Sequence, residues 1–175
     1  TAELFLQSSI APVLPKTVYE RLIRFYALQK QPEKLYEAIQ MYRNSKNVIQ
    51  PKQYGKWVGF IVSFKKNSQI AKKILYQMIA DDKMPNVMTI SQVINSLIRD
   101  GYNDDAFACL NILREFNIEP NDILFSSMID RSLKKGNIGA VDIILGEMAK
   151  FGIPPNVYTY TSIIDSFSKY KMFSE

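Results

Sequence analysis

The sequence of 175 residues contains no histidine and a single cysteine, Cys109. Without histidine there is no imidazole general base, no Ser-His-Asp triad and no histidine metal ligand. One cysteine forms neither an internal disulfide nor a cysteine-based zinc site. The sequence therefore predicts no enzyme active site, no metal centre and no cofactor.

Turn-forming residues and long apolar runs are also scarce. Glycine and proline number 7 and 8, below their average share, so long elements joined by few turns are expected. No apolar run approaches the roughly 18 residues that a membrane-spanning helix needs. The pair Gly55-Lys56 is followed by Trp57 rather than by Ser or Thr, which excludes a phosphate-binding P-loop.

Charge is the first positive indication. Basic residues outnumber acidic ones by 22 to 17, which gives a net charge of +5 and a pI of about 9.2. The hydrophobic share of 47% is that of a globular protein. The positive charge favours an anionic partner, and a nucleic acid before a membrane surface. Because the sequence begins with Thr1 rather than with methionine, we expect a fragment or a processed form.

A repeat of 35 residues organises the second half of the sequence. Proline recurs at this interval as Pro85, Pro120 and Pro155. Four further columns keep the same interval: Asn86, Asn121 and Asn156; Ser91, Ser126 and Thr161; Ile94, Ile129 and Ile164; Arg99, Lys134 and Lys169. So many similar columns at one interval are poorly explained by chance, and they indicate a repeat architecture.

Each unit is predicted to form two helices. In 122–156 a first apolar set with helical spacing ends before Gly136-Asn137, and a second ends before Gly152. A two-helix unit cannot cover its own apolar face, whereas stacked neighbours can, so the predicted fold is an all-α solenoid. The predicted units are 1–15 (a linker or the end of a preceding repeat), 16–50 (a degenerate repeat), 51–86 (an irregular repeat), 87–121 and 122–156 (repeats), and 157–175 (the first helix of a truncated repeat).

The segment from Pro155 to Asp165, PNVYTYTSIID, resembles the start of a P-type pentatricopeptide repeat, and 121–130 is a looser copy. The length of 35 distinguishes it from the tetratricopeptide repeat, which has 34 residues. The resemblance extends over about 68–175, is loose over 16–67 and is absent from 1–15. It implies a right-handed superhelix that binds single-stranded RNA and reads about one base per repeat with two or three side chains.

The resemblance assigns base reading to two columns, one early in each first helix and one at the last repeat position. These columns are Ser91, Ser126 and Thr161, and Asn86, Asn121 and Asn156. A hydroxyl residue paired with asparagine resembles the family's adenine-favouring combination. The complete pairs are Ser91 with Asn121 and Ser126 with Asn156. They imply two successive adenines.

Two further columns complete the implied site. Met88, Ile123 and Tyr158 would stack on the bases, for which soft or flat apolar groups are suited. Arg99, Lys134 and Lys169 would offer one charge per repeat to successive phosphates. Each column also has an ordinary structural interpretation: Pro-Asn as a turn with a helix cap, the hydroxyls and cations as solvated groups, and the apolar column as packing between repeats.

The sequence thus predicts sequence-selective binding of adenine-containing single-stranded RNA. The family implies a role in stabilising, processing or translating an organellar transcript, with the mitochondrion favoured over the chloroplast. Three alternatives remain open at this point. The chain could be a structural or assembly subunit of an organellar ribosome or another ribonucleoprotein, a tetratricopeptide-like protein-binding scaffold, or the targeting half of an enzyme whose catalytic domain lies outside this sequence.

Overall fold

The computed structural model describes residues 14–45 and 47–172, without the side chains of 166, 167 and 169–172. Within these residues the chain forms nine α-helices and no β-strand. The helices are α1 (Lys16–Leu28), α2 (Pro32–Asn44), α3 (Pro51–Val62), α4 (Ser68–Ala80), α5 (Val87–Asp100), α6 (Asn103–Glu115), α7 (Asp122–Lys134), α8 (Gly139–Lys150) and α9 (Val157–Met172). Of the predicted segment 1–15, residues 1–13 lie outside the description, as do 173–175.

The first eight helices pack as four adjacent pairs, and α9 packs on α7. From α3 onward each first helix also contacts the next one: α3 lies against α5, α5 against α7, and α7 against α9. From α3 to α9 the first helices therefore form one continuous layer, and α1 faces α3 across a cleft. The predicted all-α arrangement of stacked helix pairs is confirmed.

Turn chemistry differs between the early and the late pairs. The turn of each pair contains one residue with positive φ: Lys30, Lys66, Gly101 and Gly136. Glycine adopts this left-handed conformation without steric cost, whereas a lysine there is strained. The absence of glycine from the first two turns is one reason why the repeat is hard to detect in that part of the sequence.

One buried position on the first helices defines the stacking. Tyr19, Tyr54, Ile90 and Phe125 are all at most 5% exposed and are separated by 35, 36 and 35 residues. The middle interval is one residue longer because the irregular unit 51–86 has 36 residues rather than 35. All four side chains belong to one cluster of buried residues that extends from Tyr19 to Met148, so the core is continuous along the solenoid. Cys109 is fully buried in this core, and burial raises the pKa of its thiol to about 12.

Aromatic rings fill the first junction between pairs. Tyr42 on α2 stacks on Tyr19 with ring centroids 5.2 Å apart, and Trp57 meets Tyr42 and Tyr54 edge-on at 5.5 and 5.0 Å. Trp57 is 3% exposed and belongs to the core. The backbones of α1 and α3 approach less closely than those of α3 and α5, because rings occupy more space than the aliphatic residues of the later junctions.

A polar network reinforces the same region. The guanidinium of Arg43 on α2 donates to both carboxylate oxygens of Asp81, at 2.7 and 2.9 Å, just beyond the end of α4. The Tyr54 hydroxyl on α3 also donates to Asp81. Burial, followed by this contact, raises the pKa of Tyr54 to about 12, and the Arg43 hydrogen bonds lower the pKa of Asp81. The network joins three helices of two pairs.

This network predicts a pH-dependent contribution to stability. Because the pKa of Asp81 is lower in the folded state than its ordinary 3.8, the contribution is complete above that value and is lost as the pH falls below it. We expect Asp81→Asn to reduce the free energy of unfolding by about 1–2 kcal/mol at neutral pH, with the difference from wild type shrinking below pH 3.8.

Urea denaturation at a series of pH values measures this difference. Asp82→Asn is the matched control, since Asp82 is exposed and has a positive φ that asparagine tolerates. An Asp81→Asn loss that is the same at neutral and acidic pH, or no larger than that of the control, would contradict the assignment.

Candidate nucleic-acid interface

The asparagine column lies where first helices begin. The side-chain oxygens of Asn86, Asn121 and Asn156 accept hydrogen bonds from backbone N–H groups at 2.8, 3.0 and 2.9 Å. The alternative role of these residues as helix caps is therefore real. The cap uses only the oxygen, and in the described part of the chain the amide N–H₂ groups of Asn86 and Asn121 donate to no protein group. Capping and base reading are compatible in one side chain.

Asn156 differs from the other two asparagines. Its amide nitrogen donates to Asp122 Oδ2 at 2.8 Å, across the junction between α7 and α9. A base at this position would have to displace Asp122 to reach the amide hydrogen. Three residues that share one column of the sequence therefore present two different hydrogen-bonding states.

The hydroxyl column is largely satisfied within the chain. Ser91 donates to the Val87 carbonyl at 2.7 Å and Thr161 to the Val157 carbonyl at 2.8 Å, each one turn back in its own helix. Ser126 is 5% exposed. A hydroxyl whose hydrogen is already donated acts towards a ligand as an acceptor. Ser91 and Thr161 therefore offer lone pairs rather than protons.

The structure brings one predicted pair together through a threonine. Ser126 Oγ lies 3.2 Å from Thr159 Oγ1, which donates to Asn156 Oδ1 at 3.1 Å. The equivalent Thr89 Oγ1 donates in the same way to Asn86 Oδ1, at 2.9 Å. Sequence analysis missed these threonines. Their position two residues before the hydroxyl column was the available signal.

The apolar column is on the surface. Met88, Ile123 and Tyr158 are 67%, 70% and 59% exposed, each at the second residue of its helix. The alternative that they pack between repeats does not match this exposure. An apolar group repeated in this way beside each asparagine is available for stacking.

Arg99 has a role that the sequence did not suggest. Its guanidinium donates to the Val62 and Phe64 carbonyls at 2.7 and 2.9 Å, where α3 ends, and to Asp100 at 2.9 Å. The Asp100 carboxylate accepts from the Ser68 N–H at 3.1 Å, where α4 begins. Burial opposes ionisation of Asp100, but the hydrogen bonds from Arg99 and Ser68 prevail and lower its pKa. Arg99 thus caps the end of α3, and Asp100 caps the start of α4, on the two sides of the turn in the preceding pair.

The remaining members of the basic column differ from Arg99. The Lys134 side chain is 73% exposed and makes a surface ion pair with Asp130 at 2.8 Å, a kind of pair that is weak and easily exchanged. The Lys169 side chain lies outside the described part of the structure. Lys134 is therefore the described member of the predicted phosphate column whose charge faces solvent.

An open cleft of about 640 Å³ lies between α3 and α5. Its lining includes Gly55, Gly59, Asn86 and Met88. Gly55 stands where Ser126 stands in its own unit, and a Cβ there would lie 3.2 Å from Thr89 Oγ1. Gly55 and Gly59, four residues apart on one helix face, are the feature of the sequence that corresponds to this cleft.

The described residues contain neither a metal-binding cluster nor a membrane-spanning helix. In 14–45 and 47–172 no cluster of Cys, Asp and Glu side chains has the geometry of a metal site. None of the helices described above is both long and apolar enough to cross a bilayer.

Comparison with known proteins finds a family match over part of the chain and several solved structures with a similar fold. Residues 123–169 match the model of the PPR repeat family. No curated protein sequence matches the chain. The fold is similar to the pentatricopeptide repeat protein PPR10 from maize, with a TM-score of 0.73 and 19% identity over 91% of this chain and 23% of that one. This chain therefore spans about a quarter of the length of PPR10.

Two further structures contain RNA. PPR10 in complex with an 18-nt psaJ RNA element gives a TM-score of 0.65 with 20% identity, over 92% of this chain and 24% of that one. The PPR domain of Arabidopsis thaliana protein-only RNase P 1 (PRORP1), in complex with tRNA, gives 0.66 with 13% identity, over 92% and 84%. At these identities the likeness establishes a shared fold.

The capping role of Asn121 predicts an asymmetric response to substitution. Asn121→Ala removes the acceptor for the Leu124 N–H and should lower the free energy of unfolding by about 1 kcal/mol. Asn121→Asp keeps an oxygen in the same place and should remain within a few tenths of wild type. Thermal and urea denaturation measure both variants. Equal losses in the two would show that the side-chain oxygen is not the stabilising group.

Proposed function

We propose that this chain, which carries pentatricopeptide repeats within residues 123–169, binds single-stranded RNA along its layer of first helices. The observation that supports this most directly is the unused amide of Asn121 beside an exposed apolar side chain, Ile123. An amide that donates and an apolar surface that stacks are the two elements of single-strand base recognition. The RNA complexes of proteins with the same fold support the same class of ligand.

Hydrogen-bonding capacity is compatible with adenine for the pair formed by Ser91 and Asn121, and the choice of adenine over cytosine, which presents the same donor and acceptor, comes from the resemblance to the family. Ser91 offers a lone pair, because its proton is donated to Val87. Asn121 offers an N–H, because its oxygen is held by Leu124. Adenine presents the complement, an amino group that donates and a ring nitrogen that accepts. The second adenine, read by Ser126 and Asn156, requires Asp122 to release the Asn156 amide.

The proposed biological role is that of an organellar RNA-binding factor, in the mitochondrion, which stabilises, processes or permits translation of a transcript. The repeats themselves would act by binding. An alternative is a subunit of a ribonucleoprotein such as an organellar ribosome. The first two units favour this alternative, because their base-reading positions are Glu20 and Gly55. Neither residue forms a hydroxyl–asparagine pair. An array that read few bases could serve as a scaffold on structured RNA.

Asn121→Asp tests base reading directly. The carboxylate accepts but does not donate, so the variant loses the donor that faces the adenine ring nitrogen while keeping the helix cap. We expect the affinity for RNA with adenine at this position to fall about tenfold relative to uracil, whose ring N–H donates, in keeping with the 1–3 kcal/mol of a base-specific contact. Fluorescence anisotropy with four RNAs that differ at one base gives the ratios.

The control for added negative charge is Asn117→Asp, on the exposed turn before the repeat boundary. It should weaken all four RNAs by a similar factor and leave their ratios unchanged. If Asn121→Asp also left the ratios unchanged, base reading by Asn121 would be wrong. Equal affinity of the wild type for all four RNAs and for duplex RNA would instead support the ribonucleoprotein scaffold.

Lys134→Ala tests the phosphate contact. Its exposed ammonium makes only a surface pair with Asp130, which a phosphate can replace. The variant should bind every sequence more weakly and should reduce the slope of log affinity against log salt by about 0.7, the value for one phosphate of a single strand. An unchanged slope would exclude the contact, whereas a change in base preference would mean that Lys134 reads bases.

A further inference from the structure

The charge on the first helices changes along the layer. Two positions of each first helix, three residues apart, carry in turn Arg21 and Arg24 on α1, Lys56 and Gly59 on α3, Gln92 and Asn95 on α5, Ser127 and Asp130 on α7, and Ser162 and Asp165 on α9. Cations occupy the first two helices, neutral side chains the third, and carboxylates the last two. The basic column that contains Arg99 and Lys134 does not produce this change. The equivalent residues in the first two units are Leu28 and Ser63, which are uncharged.

The cations of the first two helices converge on one cleft. A cleft of about 340 Å³ between α1 and α3 is lined by Arg21, Arg24 and Lys56, with Trp57 and Phe60 among the other lining residues. Lys56 also lines the neighbouring cleft between α3 and α5. All three cationic side chains belong to exposed residues. A strand that passed from one cleft to the next would keep Lys56 beside it.

These cations are not neutralised within the described part of the chain. Arg21, Arg24 and Lys56 make no salt bridge there, in contrast to Arg43, which is held by Asp81. The carboxylate that lines the same cleft, Glu20, accepts from Gln53 at 2.9 Å and lies 3.8 Å from Lys16. The cleft therefore has a net positive charge that an anion from outside could compensate.

The same cleft is poorly suited to reading a base. The base-reading position of α1 is Glu20, whose carboxylate only accepts and is already held by Gln53. The corresponding position of α3, Gly55, has no side chain. The cations, by contrast, are suited to phosphate: two guanidiniums and one ammonium offer several donors.

We propose that the cleft formed by Arg21, Arg24 and Lys56 binds the ribose-phosphate backbone of the RNA without reading its bases, and so anchors a strand that α5 and α7 read. This inference depends on the proposed function, since it concerns the same strand. It assigns a different task to the two halves of the array: phosphate binding to α1 and α3, and base reading to α5, α7 and α9.

RNA strands that lack bases in one half test this division. Two chimaeric strands are needed, with adenosines in the 5′ half and abasic nucleotides in the 3′ half, and the reverse. We expect one of the two to bind the 175-residue chain within about twofold of the all-adenosine strand, and the other to bind at least tenfold more weakly, since each lost base–side chain stack costs about 1–3 kcal/mol. Losses of at least tenfold for both chimaeras would overturn the inference, because bases would then be read along the whole array.

The cations themselves are tested by Arg24→Gln with Lys56→Gln. This double variant should weaken the better chimaera and reduce its salt slope by about 1.4, twice the single-strand value of 0.7 per phosphate. The matched control removes two exposed lysines outside the cleft, Lys65→Gln with Lys73→Gln, and should change the slope by less than half as much. Equal changes in the two variants would overturn the inference.

The two proposals fail in distinguishable ways. If base reading is absent, the four single-base RNAs bind alike and both chimaeras bind as well as the all-adenosine strand. If only the phosphate anchor is absent, the single-base preferences persist while the double variant matches its control.

Discussion

Each helix pair exposes an apolar face that only the next pair can cover, and the rest of the structure depends on how that junction is filled. At the first junction Tyr19, Tyr42 and Trp57 fill it with rings, and Arg43 with Asp81 closes its edge. At the later junctions Ile90 and Phe125 lie between more closely spaced helices. Helix spacing alone does not set the clefts between the first helices: the cleft between α3 and α5 measures about 640 Å³ and that between α1 and α3 about 340 Å³, and Gly55 and Gly59 in the wall of the larger cleft carry no side chain.

Helix capping imposes a second constraint on that surface. A capping asparagine must direct its oxygen towards the backbone, so its amide hydrogens are directed away from it before any ligand binds. The rotamer is thus fixed in the free protein, and the entropy of ordering the side chain is not lost again on binding. Asn121 is in this prepared state. Asn156 is also fixed, but its donor is held by Asp122, so binding there must exchange one hydrogen bond for another.

The sequence predicted the repeat, the helix pairs and the capping positions because these depend on local chemistry and on a period that is visible in the chain. It did not predict the partners of individual side chains. Arg99 occupies the same column as Lys134, yet its acceptors are the carbonyls of Val62 and Phe64, which are brought close only by packing between pairs. A column therefore identifies an equivalent place on the backbone, while the neighbouring unit decides what the side chain does there.

Ser126 illustrates the same limit within the candidate site. The sequence treats it as equivalent to Ser91, but Ser126 is buried against Thr159, whereas the residue that corresponds to Thr159 at the preceding junction is Leu124. A leucine offers no hydroxyl, so Ser91 bonds only to its own helix. The two base-reading pairs therefore have different polar surroundings, and their contributions to binding need not be equal even for the same base.

The distribution of charge has a consequence for specificity. Phosphate contacts contribute to affinity in proportion to the counterions they release, so they weaken as salt increases, whereas hydrogen bonds to base edges do so much less. If the cations of α1 and α3 hold the backbone while α5 and α7 read bases, the two contributions are separated along the array. Raising the salt concentration would then lower the affinity for all sequences while largely preserving the ratio between them. An array with one cation beside each base-reading pair would hold the backbone and read bases along its whole length, so abasic nucleotides would weaken binding equally at either end.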